Sequence, residues 1–491
     1  MTPIEWTSRA VREALEAKGL LVDEDGEART FTGVATDSRT LTGGELFVAL
    51  RGERFDGHDF VTAAIEKGAG GVVIESDALR GRETETELGL PTFVVRDSLR
   101  AWGALARARR DRIEAPVVAI TGSSGKTTTK ELLRAALDAE FRVHATEANL
   151  NNRVGLPLTL LSTPDDAEVV VLEAGTSEPG EIAELAAVAH PDISVVITVG
   201  EAHLERLGTV AGVLQEKLDL VRGMRERGLA FVGESPDILP ATATELGRRV
   251  RTVGFGPAAS PDARGELLDP DGDGHFSFRW RDRTVRMGIP GRHVALDALI
   301  ALAVADHLGA SSDPAIEGIC RYTGGVLRDE VRGVGALTLV ADCYNSNPVS
   351  ARAALDALAS RRSRGPRIAF LGTMHEMGER EAGGHRDVLA HASELSLDLL
   401  VATGAFAAAS AAVVLPFEVI AEADPEAAYA RLRPILAHAL QDDGGATVLL
   451  KASRSESLER FIPAFEADFG GGDPPLARDP SDPVRPAGRE G

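Results

Sequence analysis

Short, uninterrupted apolar runs recur along this chain, and each is followed by a stretch whose apolar residues return at helical spacing. In the middle third the runs are Val117–Thr121, Val169–Glu173 and Ile193–Thr198, with helical stretches such as Lys126–Phe141 between them. Runs of this length without polar alternation describe strands buried on both faces, as in a parallel sheet. The layout is βαβ. A further series begins near residue 325, with strands predicted at Leu337–Ala341, Arg367–Leu371, Leu397–Ala402 and Val448–Lys451. Ahead of residue 115 the pattern is more mixed, with strands at Glu45–Leu50, Gly71–Glu75 and Pro91–Arg96 and helices at Ala63–Lys67 and Leu99–Arg112. The segment Arg112–Pro116 reads as a hinge, because Pro116 disfavours helix in the residue before it. Residues 228–290 are richer in Gly, Pro and Asp and read as a β-rich excursion before a helix over His293–Leu308.

These elements predict an α/β protein of three domains. A small mixed α/β domain covers residues 1–113, a central parallel-sheet domain 114–324 and a Rossmann-like domain 325–469. The length of 491 residues agrees with that count, at roughly 150 residues per domain. The Gly/Pro/charge-rich segment 470–491 is expected to be a disordered tail. Charge narrows the function: 53 Lys and Arg against 75 Asp and Glu give 53 − 75 = −22. Such acidity disfavours a broad nucleic-acid or anionic-membrane surface, while leaving room for an anionic ligand in a local pocket. No apolar run approaches the roughly 18 residues of a membrane span, so no integral membrane association is expected. Two cysteines, Cys320 and Cys343, exclude a disulfide scaffold. With a start, Met1–Trp6, that has neither a basic nor an apolar segment, they point to the cytoplasm.

The strongest chemical signal is Gly122-Ser123-Ser124-Gly125-Lys126-Thr127-Thr128, directly after a buried strand and before a helix. That context is what a phosphate loop requires. Glycines let the backbone N–H groups turn inward onto phosphate oxygens, and the helix adds its positive end. Lys126 would neutralise the β/γ-phosphates and Thr127 would offer its hydroxyl to Mg²⁺. The loop departs from the commonest pattern in one respect, since Ile120 stands where a first glycine is usual and Gly122 takes that part. Glu173 ends one apolar run and His203 follows another, so both should reach the carboxyl edge of the sheet, where ligands sit. A carboxylate and an imidazole beside a triphosphate suit Mg²⁺ coordination, directly or through water. Lys217 alone reads as a solvated helical lysine.

Further short motifs follow in order. They are Asp37-Ser38-Arg39, Asp56-Gly57-His58, Asn149-Leu150-Asn151-Asn152, Glu173-Ala174-Gly175-Thr176 and Ala202-His203-Leu204-Glu205. Beyond them come Gly291-Arg292-His293, Asp342-Cys343-Tyr344-Asn345-Ser346-Asn347-Pro348, Leu371–Glu379 and Lys451-Ala452-Ser453-Arg454. Taken together, over nearly all of residues 30–460, the chain resembles the Mur ligases, the ATP-dependent enzymes that build the peptidoglycan stem peptide.

The resemblance implies a three-domain ligase, in the branch that uses UDP-N-acetylmuramoyl-tripeptide and D-alanyl-D-alanine as substrates. It implies ATP and Mg²⁺ as cofactors and an acyl-phosphate intermediate; a monomer is expected, although the sequence leaves oligomeric state open. Ser38, Arg39, His58, Asn149, Asn151 and Asn152 would bind substrate. Gly122 to Thr128, Arg328, Asp342 and Asn345 would bind ATP. Thr127, Glu173, His203 and Lys217 would hold metal, Lys217 at a position often carbamylated in the family. Lys126, Glu173, His203 and Lys217 would be catalytic. Val294 and Asp297 stand where the family usually has Asn, near the adenine; Thr373 replaces a frequent Asp and Ala452 a common Gly. These departures motivate an alternative, a catalytically silent nucleotide-binding paralogue. Another Mur-type amino-acid ligase is the nearest rival, and a simple phosphate-loop kinase would explain the loop but not residues 1–110 or 325–460.

Overall fold

This computed structural model describes residues 6–52, 55–78, 88–441 and 444–471. The tail expected over 470–491 therefore lies outside the described residues from 472 onward, as does the start of the chain up to residue 5. The chain divides into two compact units. One comprises Met1–Asp269, Phe276–Gly288 and His293–Tyr322, the other Pro270–His275, Ile289–Arg292 and Thr323–Gly491.

The first unit holds two principal sheets. The N-terminal one has five strands in the order Leu21–Asp25, Thr92–Val95, Gly71–Glu75, Leu46–Val48, Val34–Ala35. Only the acidic edge strand Leu21–Asp25 runs antiparallel to its neighbour. The second sheet has six parallel strands in the order Val250–Val253, Leu229–Gly233, Ile193–Val196, Val117–Thr121, Val169–Glu173, Val143–Ala145. Its middle strands are buried at every position, which is why they carry no polar alternation.

Two sequence expectations change here. Residues 228–290 are not one excursion. Leu229–Gly233 is buried along its whole length and, with Val250–Val253, extends the parallel sheet. Only Glu266–Leu267, Ser277–Trp280 and Arg283–Arg286 form an antiparallel ribbon, which turns Phe278, Trp280 and Val285 inward. The intervening glycines, prolines and aspartates are turn residues, and they masked the apolar run beside them.

The expected hinge is pinned. The helix Ser98–Arg110 ends on Arg110, whose guanidinium is fully buried. It donates to the carbonyls of Ala189, Ile113 and His190 and to Asp192 Oδ2 at 2.7 Å. The same carboxylate oxygen accepts the Val117 N–H at 2.9 Å. Burial pulls the Arg110 pKa down to about 10, against the pull of Asp192. Along the same helix Trp102 Nε1 donates to the Val154 carbonyl and Arg109 pairs with Asp165. The N-terminal sheet thus reaches the central one through a helix anchored at Trp102, Arg109 and Arg110.

The second unit is a six-stranded sheet in the order Glu330–Val334, Leu337–Ala341, Ala446–Lys451, Arg367–Leu371, Leu399–Ala402, Glu418–Ala421. All but the edge strand Glu330–Val334 are parallel. Its interior gathers Leu339, Phe370, Val401, Leu432, Leu450 and Phe465. Among the described residues, no helix is long and apolar enough to cross a membrane.

Candidate active site

Strand order fixes where the chemistry lies. Val117–Thr121 has Ile193–Val196 on one side and Val169–Glu173 on the other, so the connections depart in opposite directions and leave a crevice at the carboxyl ends. The phosphate loop fills it. Ser123 is tied to the neighbouring strand end, its N–H donating to Thr198 O at 2.9 Å and its hydroxyl exchanging bonds with Gly200. Gly125 sits at φ +80°, which an L side chain rarely adopts, and a Cβ there would lie 2.7 Å from Asp297 Oδ1. The helix Lys126–Leu137 follows directly. Lys126 folds back, its amino group donating to Gly122 O at 3.0 Å. Ser124, Thr127 and Thr128 remain half-buried.

Glu173 faces this loop from the adjacent strand. Its side chain is 1% exposed, and Oε2 accepts the Thr127 hydroxyl at 2.9 Å while Oε1 accepts Asn151 Nδ2 at 2.7 Å. Among the described residues it has no ion pair. A carboxylate so buried demands positive charge, and two oxygens 2.9 Å apart beside a phosphate cradle fit a hard divalent cation.

Lys217 reverses its solitary reading. It lies on the helix Val210–Arg222, fully buried, and among the described residues Nζ has no hydrogen-bond partner. Burial first, then the charge of Lys126, pushes its pKa well below the lysine range, with Glu216, Glu181 and Glu173 pulling the other way. Its amine is therefore held toward the neutral, nucleophilic form. His203 stands in the loop after Ile193–Val196 at φ +55°, capping the short helix Leu204–Leu207.

The remaining expected residues divide by role. Asn151 belongs to the cluster just described. Asn152 Oδ1 accepts the N–H groups of Val154 and Gly155 and so starts the helix Gly155–Leu161, while Asn149 is exposed. In the N-terminal sheet, Asp37–Thr40 forms a turn with Ser38 half-buried and the exposed Arg39 paired to Asp37 at 2.7 Å. His58 is buried, with Nε2 accepting the Glu75 N–H and Nδ1 2.5 Å from Asp56. Both ring nitrogens are engaged within the sheet, so the ring orients Asp56 and its neighbours. In the second unit Asp342 pairs with the buried Lys451 at 2.7 Å, Lys451 also donates to Asn345 O, and Arg328 stacks on Tyr344 at 4.0 Å.

Sequence reasoning missed three residues next to these. Glu216 is buried and accepts from the backbone N–H groups of Gly180 and Ile182 and from Thr176. Lys130 and Thr146 lie behind Glu173. Spacing held the only signal: Lys130 is one turn beyond Lys126, and Glu216 precedes Lys217.

Comparison with known proteins covers most of the chain, from residue 30 to residue 454 by family model. Residues 30–110 match the model described as Mur ligase family, catalytic domain; residues 120–305 match the Mur ligase middle domain; residues 328–454 match the Mur ligase, glutamate ligase domain. The chain is 32% identical over 460 residues to the UDP-N-acetylmuramoyl-tripeptide–D-alanyl-D-alanine ligase of Bacillus subtilis (strain 168), covering 92% of this chain and 97% of that one. It is 32% identical to the ligase of the same name from Escherichia coli (strain K12), covering 89% and 94%. Among solved structures, it aligns with MurF from Acinetobacter baumannii at TM-score 0.83 and 27% identity, over 94% of this chain and 99% of that one. It aligns with the MurF ligase from Thermotoga maritima in complex with ADP at TM-score 0.77 and 29% identity, over 89% and 97%.

Proposed function

Since the chain belongs to the Mur ligase family, we propose that it is an ATP-dependent ligase joining D-alanyl-D-alanine to UDP-N-acetylmuramoyl-tripeptide in peptidoglycan precursor synthesis. The observation that carries the chemistry is the buried Glu173 carboxylate bonded to Thr127 at the mouth of the phosphate loop. A carboxylate is a poor electrophile. Transfer of the ATP γ-phosphoryl group to the tripeptide carboxylate gives it a leaving group, and the dipeptide amine then attacks the acyl carbon, releasing phosphate and forming the amide. Both transition states concentrate negative charge. Lys126 and the N–H groups of the loop Gly122–Thr128 meet that charge from fixed positions, with no reorganisation of solvent.

Thr127, Glu173, His203 and Lys217 would hold Mg²⁺, which when bound neutralises phosphate charge as a Lewis acid. Lys217 suits that role as a carbamate: the neutral amine adds to the carbon of CO₂ and releases one proton to solvent, and the product is an oxygen-donating anion. Ser38, Arg39, Asn149, Asn151 and Asn152 serve the UDP-tripeptide in this reading, His58 supports them through Asp56, and Arg328, Asp342 and Asn345 serve the nucleotide. The two free cysteines fit a cytoplasmic setting. A phosphate-release assay tests the reaction. Release should require ATP, the UDP-tripeptide and D-alanyl-D-alanine together; equal release with a diamino acid or glutamate in place of the dipeptide refutes the substrate assignment.

A further inference from the structure

The phosphate helix carries two lysines one turn apart on one face, and the second has no part in the chemistry above. Lys130 is fully buried. Its amino group has three oxygens around it: Thr146 O at 2.6 Å, Glu131 Oε1 at 3.0 Å and Ala148 O at 3.5 Å. A polar group taken so far from water is kept only where its partners hold it, so the identity of those partners is informative. Thr146 follows the strand Val143–Ala145, and its hydroxyl accepts the Glu173 N–H at 3.0 Å. Ala148 is at φ +46°, a conformation alanine adopts where its surroundings fix it. Three residues later, Asn151 reaches the Glu173 carboxylate. The loop from Thr146 to Asn152 therefore grips Glu173 at two points, and Lys130 fastens that loop to the helix bearing the phosphate cradle.

We propose that Lys130, acting through Thr146, is a positioning residue that sets the Glu173 carboxylate for its divalent cation. This rests on the reading of Glu173 as a cation ligand. Lys130 touches neither phosphate nor cation; it ties the placement of one to the placement of the other.

The test is binding of a fluorescent ADP analogue to the full chain with and without Mg²⁺, which reads the gain in affinity the cation confers. In Lys130→Met that gain should fall at least about tenfold, while affinity without Mg²⁺ is unchanged. Thr146→Val, which keeps volume but removes the acceptor for the Glu173 N–H, should lower the gain in the same direction and decides the matter alone if Lys130→Met does not fold. A merely structural role would lower Tm and leave the gain intact in both variants, which overturns the inference. Glu173→Gln separates the two readings. If it keeps the full gain, the Glu173 assignment falls and the inference with it. If it loses the gain while both other variants retain theirs, the inference alone falls.

Discussion

Replacing Lys217 by Met should stabilise the protein while destroying its activity. The amine is fully buried with no hydrogen-bond partner among the described residues, whereas Met has nearly the same length and no polar group to strand. Relieving one buried unsatisfied group is worth about 2 kcal/mol, which for a domain of this size raises Tm by roughly 4 °C. The pH dependence is a sharper signature. The folded-state pKa lies well below the ordinary lysine value of 10.5, so between the two the unfolded chain binds a proton that the folded chain does not. Wild-type stability therefore rises with pH across that window, by up to about 1.4 kcal/mol per unit, and levels off above 10.5. Lys217→Met lacks that slope, so its advantage should be largest near neutral pH and shrink on the alkaline side. Urea unfolding in CO₂-depleted buffer at several pH values measures it, beside phosphate release. A variant less stable than wild type at neutral pH, or one showing the same slope, refutes the account of a stranded amine.

A second perturbation probes the loop Gly122–Thr128. Gly125→Ala forces a side chain into φ +80° and against the Asp297 carboxylate; it should cost about 2 kcal/mol of stability and raise the KM for ATP, and an unchanged Tm would argue against the strain.

Legibility in the sequence followed how much of each feature is local. Val117–Thr121, Val169–Glu173, Leu337–Ala341 and Arg367–Leu371 were read residue for residue because a doubly buried strand writes its burial into consecutive positions. Trp6–Thr7, Thr30–Phe31, Val34–Ala35 and Val143–Ala145 were not, since two or three residues hold no period. Leu21–Asp25 was hidden by its acids, which an exposed edge strand tolerates. The loop Gly122–Thr128 was legible as a turn between a buried strand and a helix. The support beneath it was not: Lys130 meets Thr146 and Arg110 meets Asp192 across 16 and 82 positions, and no spacing rule brings a buried cation to its acceptors. His58 shows the converse, a residue singled out for substrate whose ring is engaged by its own sheet.

The Arg110–Asp192 knot gives the chain a seam that sequence and mechanics place differently. The family models break between residues 110 and 120, where one matched segment ends and the next begins. The fold does the opposite at that point, since one carboxylate holds the last helix of the first segment and the first strand of the second. Cutting there would leave Asp192 with only Arg225 of its two guanidinium partners on one fragment and strand Arg110, with the apolar flank of Leu105 and Ala106, on the other. What is a joint for comparison is a weld for the molecule, and an excised central segment would inherit an exposed wound rather than a surface.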